Sequence, residues 1–312
     1  MKIVAVEPIG ISESLAERLR AEYLSKGHEF KVYFDRKEEG EVLAERMGDA
    51  DIVIVSNIAL GRDVLSRCER LKMIDVAFTG IDHIDLDYCR EHGIRIMNAS
   101  GYATVAVSEL AVGMMIDLCR RMTYFDSETR AYGTRKGILG IELRGKRAGL
   151  VGTGAIGLAT AGLLKAFGCE LTAYSRSRRQ EAEDMGIRYV SLEELMRESD
   201  IISLHVPLTE DTKGMISRKM LSLCKPEAIL VNTARGSVVD NAALAEALNE
   251  GRLAGAAIDV YEKEPPLEEG HPLLGAKNVL LLPHVAYATR ESFDKRIDIV
   301  LDNLNRYLLG EK

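Results

Sequence analysis

Several side chains able to move protons or bind acids stand where apolar runs of the chain end. Arg235 follows the run 228–232, in Asn232-Thr233-Ala234-Arg235-Gly236, and His284 directly follows 279–283. Asp259 closes another apolar run, and Glu264 stands in Tyr261-Glu262-Lys263-Glu264-Pro265. A guanidinium binds a substrate carboxylate and polarises the neighbouring carbonyl, while an imidazole delivers a proton to the developing alkoxide. Histidine suits the second task because its ordinary pKa near 6.5 lets it reload at neutrality. A carboxylate such as Glu264 beside the ring favours the charged imidazolium, and Asp259 is a second acid at the same edge. Together these groups match what hydride transfer to a 2-oxo acid requires. Taken singly, an arginine after a strand is most often a surface residue and a histidine there a structural one.

Such chemistry needs a hydride carrier. Gly152-Thr153-Gly154-Ala155-Ile156-Gly157 follows an apolar run ending at Val151 and opens a helical pattern with Ile156, Leu163, Leu164 and Phe167. The first glycines permit a tight turn and close backbone approach, and the helix amino terminus then faces a pyrophosphate. A site for NAD places an acidic residue near the end of the second strand, to accept from the adenine ribose. Here that segment reads Ala173-Tyr174-Ser175-Arg176-Ser177-Arg178-Arg179, without an acid. Ser175 can donate to a phosphate oxygen, and Arg176 with Arg178 or Arg179 can form charge-assisted bonds to a 2′-phosphate. The segment therefore predicts NADP(H) as the preferred cofactor, with NAD(H) also admitted. The alternative is that the three arginines form a solvated loop.

The elements needed to position these groups are legible as two series of short apolar runs alternating with helical patterns. This is the signature of parallel strands joined by crossover helices. The first series has strand candidates at 2–6, 30–34, 51–55, 71–76 and 94–97. The second has seven, at 147–151, 170–174, 187–190, 201–205, 228–232, 255–260 and 279–282. Between them, 105–122 reads as one long helix, and the chain ends in another amphipathic pattern after Thr289. That last helix can complete either sheet. The expected fold class is α/β, two doubly wound parallel sheets, with the cleft between them the default place for a ligand.

Composition narrows the function classes. A chain of 312 residues exceeds one typical core, and 46% apolar with 29% charged residues is ordinary for a globular protein. A formal net charge of −7 argues against a nucleic-acid partner, which requires clustered excess cations. The acidic stretch with Glu262, Glu264, Glu268 and Glu269 reads first as a solvated loop. Five cysteines without a CxxC pair suggest neither a disulfide framework nor a structural metal, and fit a reducing cytoplasm. The start MKIVAVEP lacks a signal-peptide core. The uncharged stretch 148–164 is short for a membrane span and rich in glycine, so no membrane partner is expected.

At these residues the chain resembles the D-isomer-specific 2-hydroxyacid dehydrogenase family, over nearly its whole length. The resemblance is carried by the glycine loop, Ser203-Leu204-His205-Val206-Pro207-Leu208-Thr209, Asn232-Thr233-Ala234-Arg235-Gly236, Asp259-Val260-Tyr261 with Glu264-Pro265, and Pro283-His284. It implies a glyoxylate- or hydroxypyruvate-reductase-like enzyme in which Arg235 binds the substrate carboxylate and carbonyl. His284 would be the acid/base, Glu264 its partner, and Asp259 would meet the nicotinamide carboxamide. His205, Val206, Pro207 and Thr233 would line the cofactor, Thr104 and Val105 would approach its nicotinamide side, and Thr79 and Gly80 would offer backbone N–H groups to the carboxylate. It also implies a Rossmann dinucleotide-binding domain over 99–289, inserted in a flavodoxin-like substrate domain of 1–98 plus 290–312, and a homodimer. Two departures stand out: Ser175 replaces the usual acid, and Ala286-Tyr287 replaces a small glycine-containing pair after the histidine. The competing readings are a dinucleotide-sensing scaffold or corepressor of the same fold, and a formate- or phosphite-type dehydrogenase.

Overall fold

The computed structural model describes residues 1–264 and 266–311; Pro265 of the Glu264-Pro265 pair and Lys312 of the terminal segment lie outside the described residues. The chain divides into two compact units, Met1–Ala103 with Thr289–Lys312, and Thr104–Ala288. The first holds a five-stranded sheet of β1 (Lys2–Ala5), β2 (Glu29–Val32), β3 (Ile52–Val55), β4 (Met73–Val76) and β5 (Arg95–Asn98). Its order is β2-β1-β3-β4-β5 and every pairing is parallel, the flavodoxin-like arrangement. Both faces of such a sheet are covered, which is why β3 and β4 are buried at all four positions.

The second unit holds β6 (Arg147–Val151), β7 (Glu170–Tyr174), β8 (Arg188–Tyr189), β9 (Ile201–Leu204), β10 (Ile229–Asn232), β11 (Gly255–Ile258) and β12 (Val279–Leu281). The order is β12-β11-β10-β9-β6-β7-β8, again wholly parallel, which is the Rossmann winding with one further strand. The winding reverses between β6 and β9. Beyond the carboxyl ends of strands at such a reversal a crevice opens, and the glycine loop leaves β6 there.

The boundary near residue 100 falls later than the expected 98/99. Ala99 donates its N–H to the carbonyls of Val76 and Phe78, and Tyr102 packs edge-on against Phe78 at 5.9 Å, so 99–103 stays with the first sheet. The expected single helix over 105–122 is instead Thr104–Arg120 followed by a second helix, Met122–Arg130. Arg121 breaks the run with φ of 53°. The terminal helix Arg290–Leu308 begins at a capping box of Thr289 and Ser292 and packs on β4 and β5, which resolves the ambiguity that its pattern left open. Among the described residues no helix is long and apolar enough to cross a membrane.

Within β4, Asp75 is fully buried and accepts from Asn303 Nδ2 of that helix at 3.0 Å. Burial pushes its carboxyl up to about 7, against the smaller downward pull of the Asn303 bond. The folded state thus holds a proton that the unfolded chain loses above pH 4, and this contribution to stability falls as pH rises from there through 7. Asp75→Asn, which mimics the protonated acid, is expected to melt with the wild type at pH 4 and several degrees above it at pH 8.5. Calorimetry with no pH-dependent gap would show that Asp75 ionises normally in the fold.

Candidate active site

The carboxyl edge of β10, β11 and β12 gathers the expected groups because these strands are adjacent and in register: Asn232 pairs with Ile258, and Ile258 with Leu281. Beyond β10, the buried Asn232 side chain shapes the turn. Its amide donates to the carbonyl of Arg235 at 3.0 Å, and its oxygen accepts from Ala234 N–H at 3.0 Å. Arg235 is extended, half-buried, and places one Nη against the Ala234 carbonyl at 2.8 Å. A Cβ at Gly236 would collide with the backbone of Tyr261, so only glycine lets this turn lie flush against the segment after β11.

That segment carries Glu264. One carboxylate oxygen accepts from Tyr261 N–H at 3.1 Å, and the other meets His284 Nδ1 at 2.6 Å. The side chains of His284 and Glu264 keep 34% and 17% of their exposure, so the pair is partly shielded from solvent. His284 itself adopts φ of 55°, a left-handed conformation that non-glycine residues rarely occupy. Such a conformation costs on the order of 1–3 kcal/mol and persists only when its surroundings over-determine it. Here the determinant is Asp259, whose two oxygens accept from Val285 N–H and Ala286 N–H at 2.8 Å each.

Asp259, expected at the nicotinamide carboxamide, also has partners within the chain. Its side chain is completely buried and both oxygens are engaged by the chain after His284, so it holds the reversal that aims the imidazole. Burial pushes its carboxyl up and Glu264 adds to that, while the two N–H donors and His284 pull it down. Tyr287, one of the two departures from the family pattern, stands edge-on to the His284 ring at 5.5 Å. In the acidic stretch Glu262, Glu268 and Glu269 are exposed, as its composition suggests, and Glu262 accepts from Asn241 at 2.8 Å and lies 3.1 Å from His271 Nε2.

Around the glycine loop each residue is constrained differently. Gly152 has φ of 106° and its missing Cβ makes room for the His205 carbonyl; a Cβ at Gly157 would strike the Gly152 carbonyl; Gly154 faces open space. The helix Ala155–Ala166 begins with its N-cap at Gly154, so Ala155 and Ile156 supply N–H groups at its positive end that have no helical partner among the described residues. Beneath the loop, the His205 ring meets Ser203 Oγ at 2.9 Å, and its burial pushes it down to about 4, leaving a neutral ring although the residue keeps some exposed surface. Thr233 Oγ1 is buried with no hydrogen-bond partner among the described residues, beside Arg235 on the edge where a ligand would satisfy it. An open glycine, exposed helix N–H groups and an orphaned hydroxyl fit a dinucleotide.

The remaining expected residues are spread more widely. Ser175 is half-buried and Arg176 and Arg178 are exposed beyond β7; Val206 and Pro207 follow β9; Thr104 opens its long helix. Thr79 and Gly80 follow β4 in the first unit. Asn232, Gly236 and Tyr261 had no assigned role from sequence, although the first two stand inside the Arg235 motif.

Residues 112–286 match the family described as D-isomer specific 2-hydroxyacid dehydrogenase, NAD binding domain. The glyoxylate reductase of Thermococcus litoralis is 39% identical over 299 residues, covering 92% of this chain and 90% of that protein. The chain belongs to the D-2-hydroxyacid dehydrogenase family. Among solved structures of this fold, an acyclic imino acid reductase (Bsp5) in complex with NADPH and D-Arg superposes with a TM-score of 0.89, at 28% identity over 100% of this chain and 98% of that one. The D-lactate dehydrogenase of Aquifex aeolicus, complexed with NAD and lactic acid, does so with 0.87, at 28% identity over 100% and 96%. This D-2-hydroxyacid dehydrogenase is therefore an enzyme of NAD(P)-linked hydroxyacid oxidoreduction, with two parallel-sheet α/β units.

Proposed function

We propose that this dehydrogenase reduces a small 2-oxo acid of the glyoxylate or hydroxypyruvate class with NADPH, through Arg235, His284 and Glu264. The observation that carries the reading is the 2.6 Å contact of His284 Nδ1 with Glu264, on the strand edge that also bears Arg235. Arg235 binds the carboxylate and polarises the carbonyl oxygen. His284, with Nδ1 committed to Glu264, donates the proton of Nε2 to that oxygen, and in the reverse direction takes it back. Glu264 stabilises the imidazolium throughout, and Asp259 keeps the ring aimed. The dinucleotide, when bound, supplies or accepts the hydride. Its pyrophosphate rests on 152–157, with His205, Val206, Pro207, Thr233 and Thr104 around it. Thr79 and Gly80 are assigned to the substrate carboxylate, which makes the first unit the substrate domain.

NADP(H) is favoured because Ser175, Arg176 and Arg178 stand where an acid would repel a 2′-phosphate. Two charge-assisted bonds of about 1.5–3 kcal/mol each give a preference on the order of a hundredfold or more. The test is absorbance of NADPH and NADH with glyoxylate, hydroxypyruvate, pyruvate and bulkier 2-oxo acids. Faster turnover with NADPH is expected, and equal or better efficiency with NADH removes the preference. Activity only with formate or phosphite, or with none of these, overturns the substrate class.

A second copy of the chain is proposed as the partner of the helix Met122–Arg130. That helix buries none of its residues and leaves Met122 and Tyr124 exposed, followed by Tyr132 and Leu139. Light scattering is expected to return the mass of two chains. Five unpaired cysteines fit a reducing cytoplasm as the place of action.

A further inference from the structure

The three arginines lie on a loop that begins after β7 and ends at Arg179, the residue capping the short helix Gln180–Asp184. Two ties join this loop to the glycine loop. At its start, Gly152 N–H donates to the Tyr174 carbonyl at 2.8 Å. At its end, Arg179 N–H donates to the Tyr189 hydroxyl at 3.0 Å, and that hydroxyl donates to Thr153 Oγ1 at 2.9 Å. Tyr189 belongs to the two-residue edge strand β8, paired with Ala173, so its backbone is fixed by the sheet. Thr153 is buried. The Arg178 guanidinium also lies over the Tyr189 ring, 5.6 Å from its centre.

From this chain of donors we infer that Tyr189 is a positioning residue for cofactor selection: its hydroxyl sets the separation between the pyrophosphate cradle and the 2′-phosphate arginines. The inference rests on the reading of Ser175, Arg176 and Arg178 as a 2′-phosphate site. NADPH must satisfy both loops at once, because pyrophosphate and 2′-phosphate are joined through one adenosine. NADH needs only the glycine loop. A strut between the loops therefore acts on NADPH and leaves NADH nearly untouched, whereas a residue that merely stabilises the unit affects both alike. The Gly152–Tyr174 tie is backbone alone and holds the near end of the loop, so removing the hydroxyl frees the arginine end without unseating the turn.

Dissociation constants of NADPH, NADH, 2′-phospho-ADP-ribose and ADP-ribose test this by calorimetry on the full chain, as wild type, Tyr189→Phe, Thr153→Val and the double variant. Tyr189→Phe keeps the ring under Arg178 and removes only the hydroxyl. It is expected to weaken NADPH and 2′-phospho-ADP-ribose roughly three- to tenfold, the range of one net hydrogen bond, with NADH and ADP-ribose within about twofold. Thr153→Val lies inside the pyrophosphate loop and is read by the ratio of NADPH to NADH affinity, which is expected to fall by the same factor, and the double variant to lose little more of that ratio than either, since both break one chain. A wild type without preference for the 2′-phosphate overturns the arginine site and the inference with it. A wild type that prefers it, with variants that keep the preference or lose both cofactors equally, overturns the inference alone.

Discussion

Replacing His284 with alanine is expected to lower turnover by roughly 10²–10⁴-fold, as loss of a general acid does. Binding of NADPH, followed by its fluorescence, should change little, because the imidazole is held by Glu264 and its aim set by Asp259, while the glycine loop leaves a different strand. Truncation also relieves none of the backbone strain, since alanine must still adopt φ of 55°. The Asp259 bonds to Val285 and Ala286 go to backbone N–H groups and survive it. The loss therefore reports chemistry and not misfolding, provided that the melting temperature is retained. A variant within a few-fold of wild-type turnover would require another proton donor, and would end the case for His284. Glu264→Gln should fall between the two: the ring keeps a hydrogen-bond partner but not a charge that favours imidazolium.

Arg235→Ala is expected to reduce kcat/KM by a factor on the order of 10²–10⁴, equivalent to two charge-assisted hydrogen bonds of about 1.5–3 kcal/mol each. Part should appear in KM, from the carboxylate, and part in kcat, from the carbonyl polarised in the transition state. The turn itself is built by others: Asn232 bonds the Arg235 carbonyl and Ala234 N–H, and Gly236 fits against Tyr261. Arg235→Lys should recover little, because a point ammonium does not reproduce the planar fork. Unchanged KM and kcat in the alanine variant would remove Arg235 from the site.

Much of this was legible in the linear chain, and the reasons are local. Both series of strands were countable because strands of a covered parallel sheet read as short apolar runs. The glycine loop was recognisable because its constraint acts within six residues between one strand and one helix. Helix ends were less so: Arg121 interrupts a run whose apolar spacing continues, and nothing in its composition marks a left-handed residue.

By itself the order of residues determined which groups exist at strand ends: a guanidinium, an imidazole, a choice of carboxylates, and serine where an acid would stand. It did not determine which carboxylate meets which partner. Glu262 and Glu264 are two residues apart in one acidic stretch, yet one lies beside His271 and the other beside His284. Nor did it show that Asp259, expected at the cofactor, also holds two N–H groups beyond the histidine. Tyr189 carried no signal at all. Such assignments depend on the register of neighbouring strands and on the one missing Cβ at Gly236, interactions between segments distant in the chain. Periodicity records how a residue faces its own element, whereas proton transfer depends on what another element places within about three ångströms.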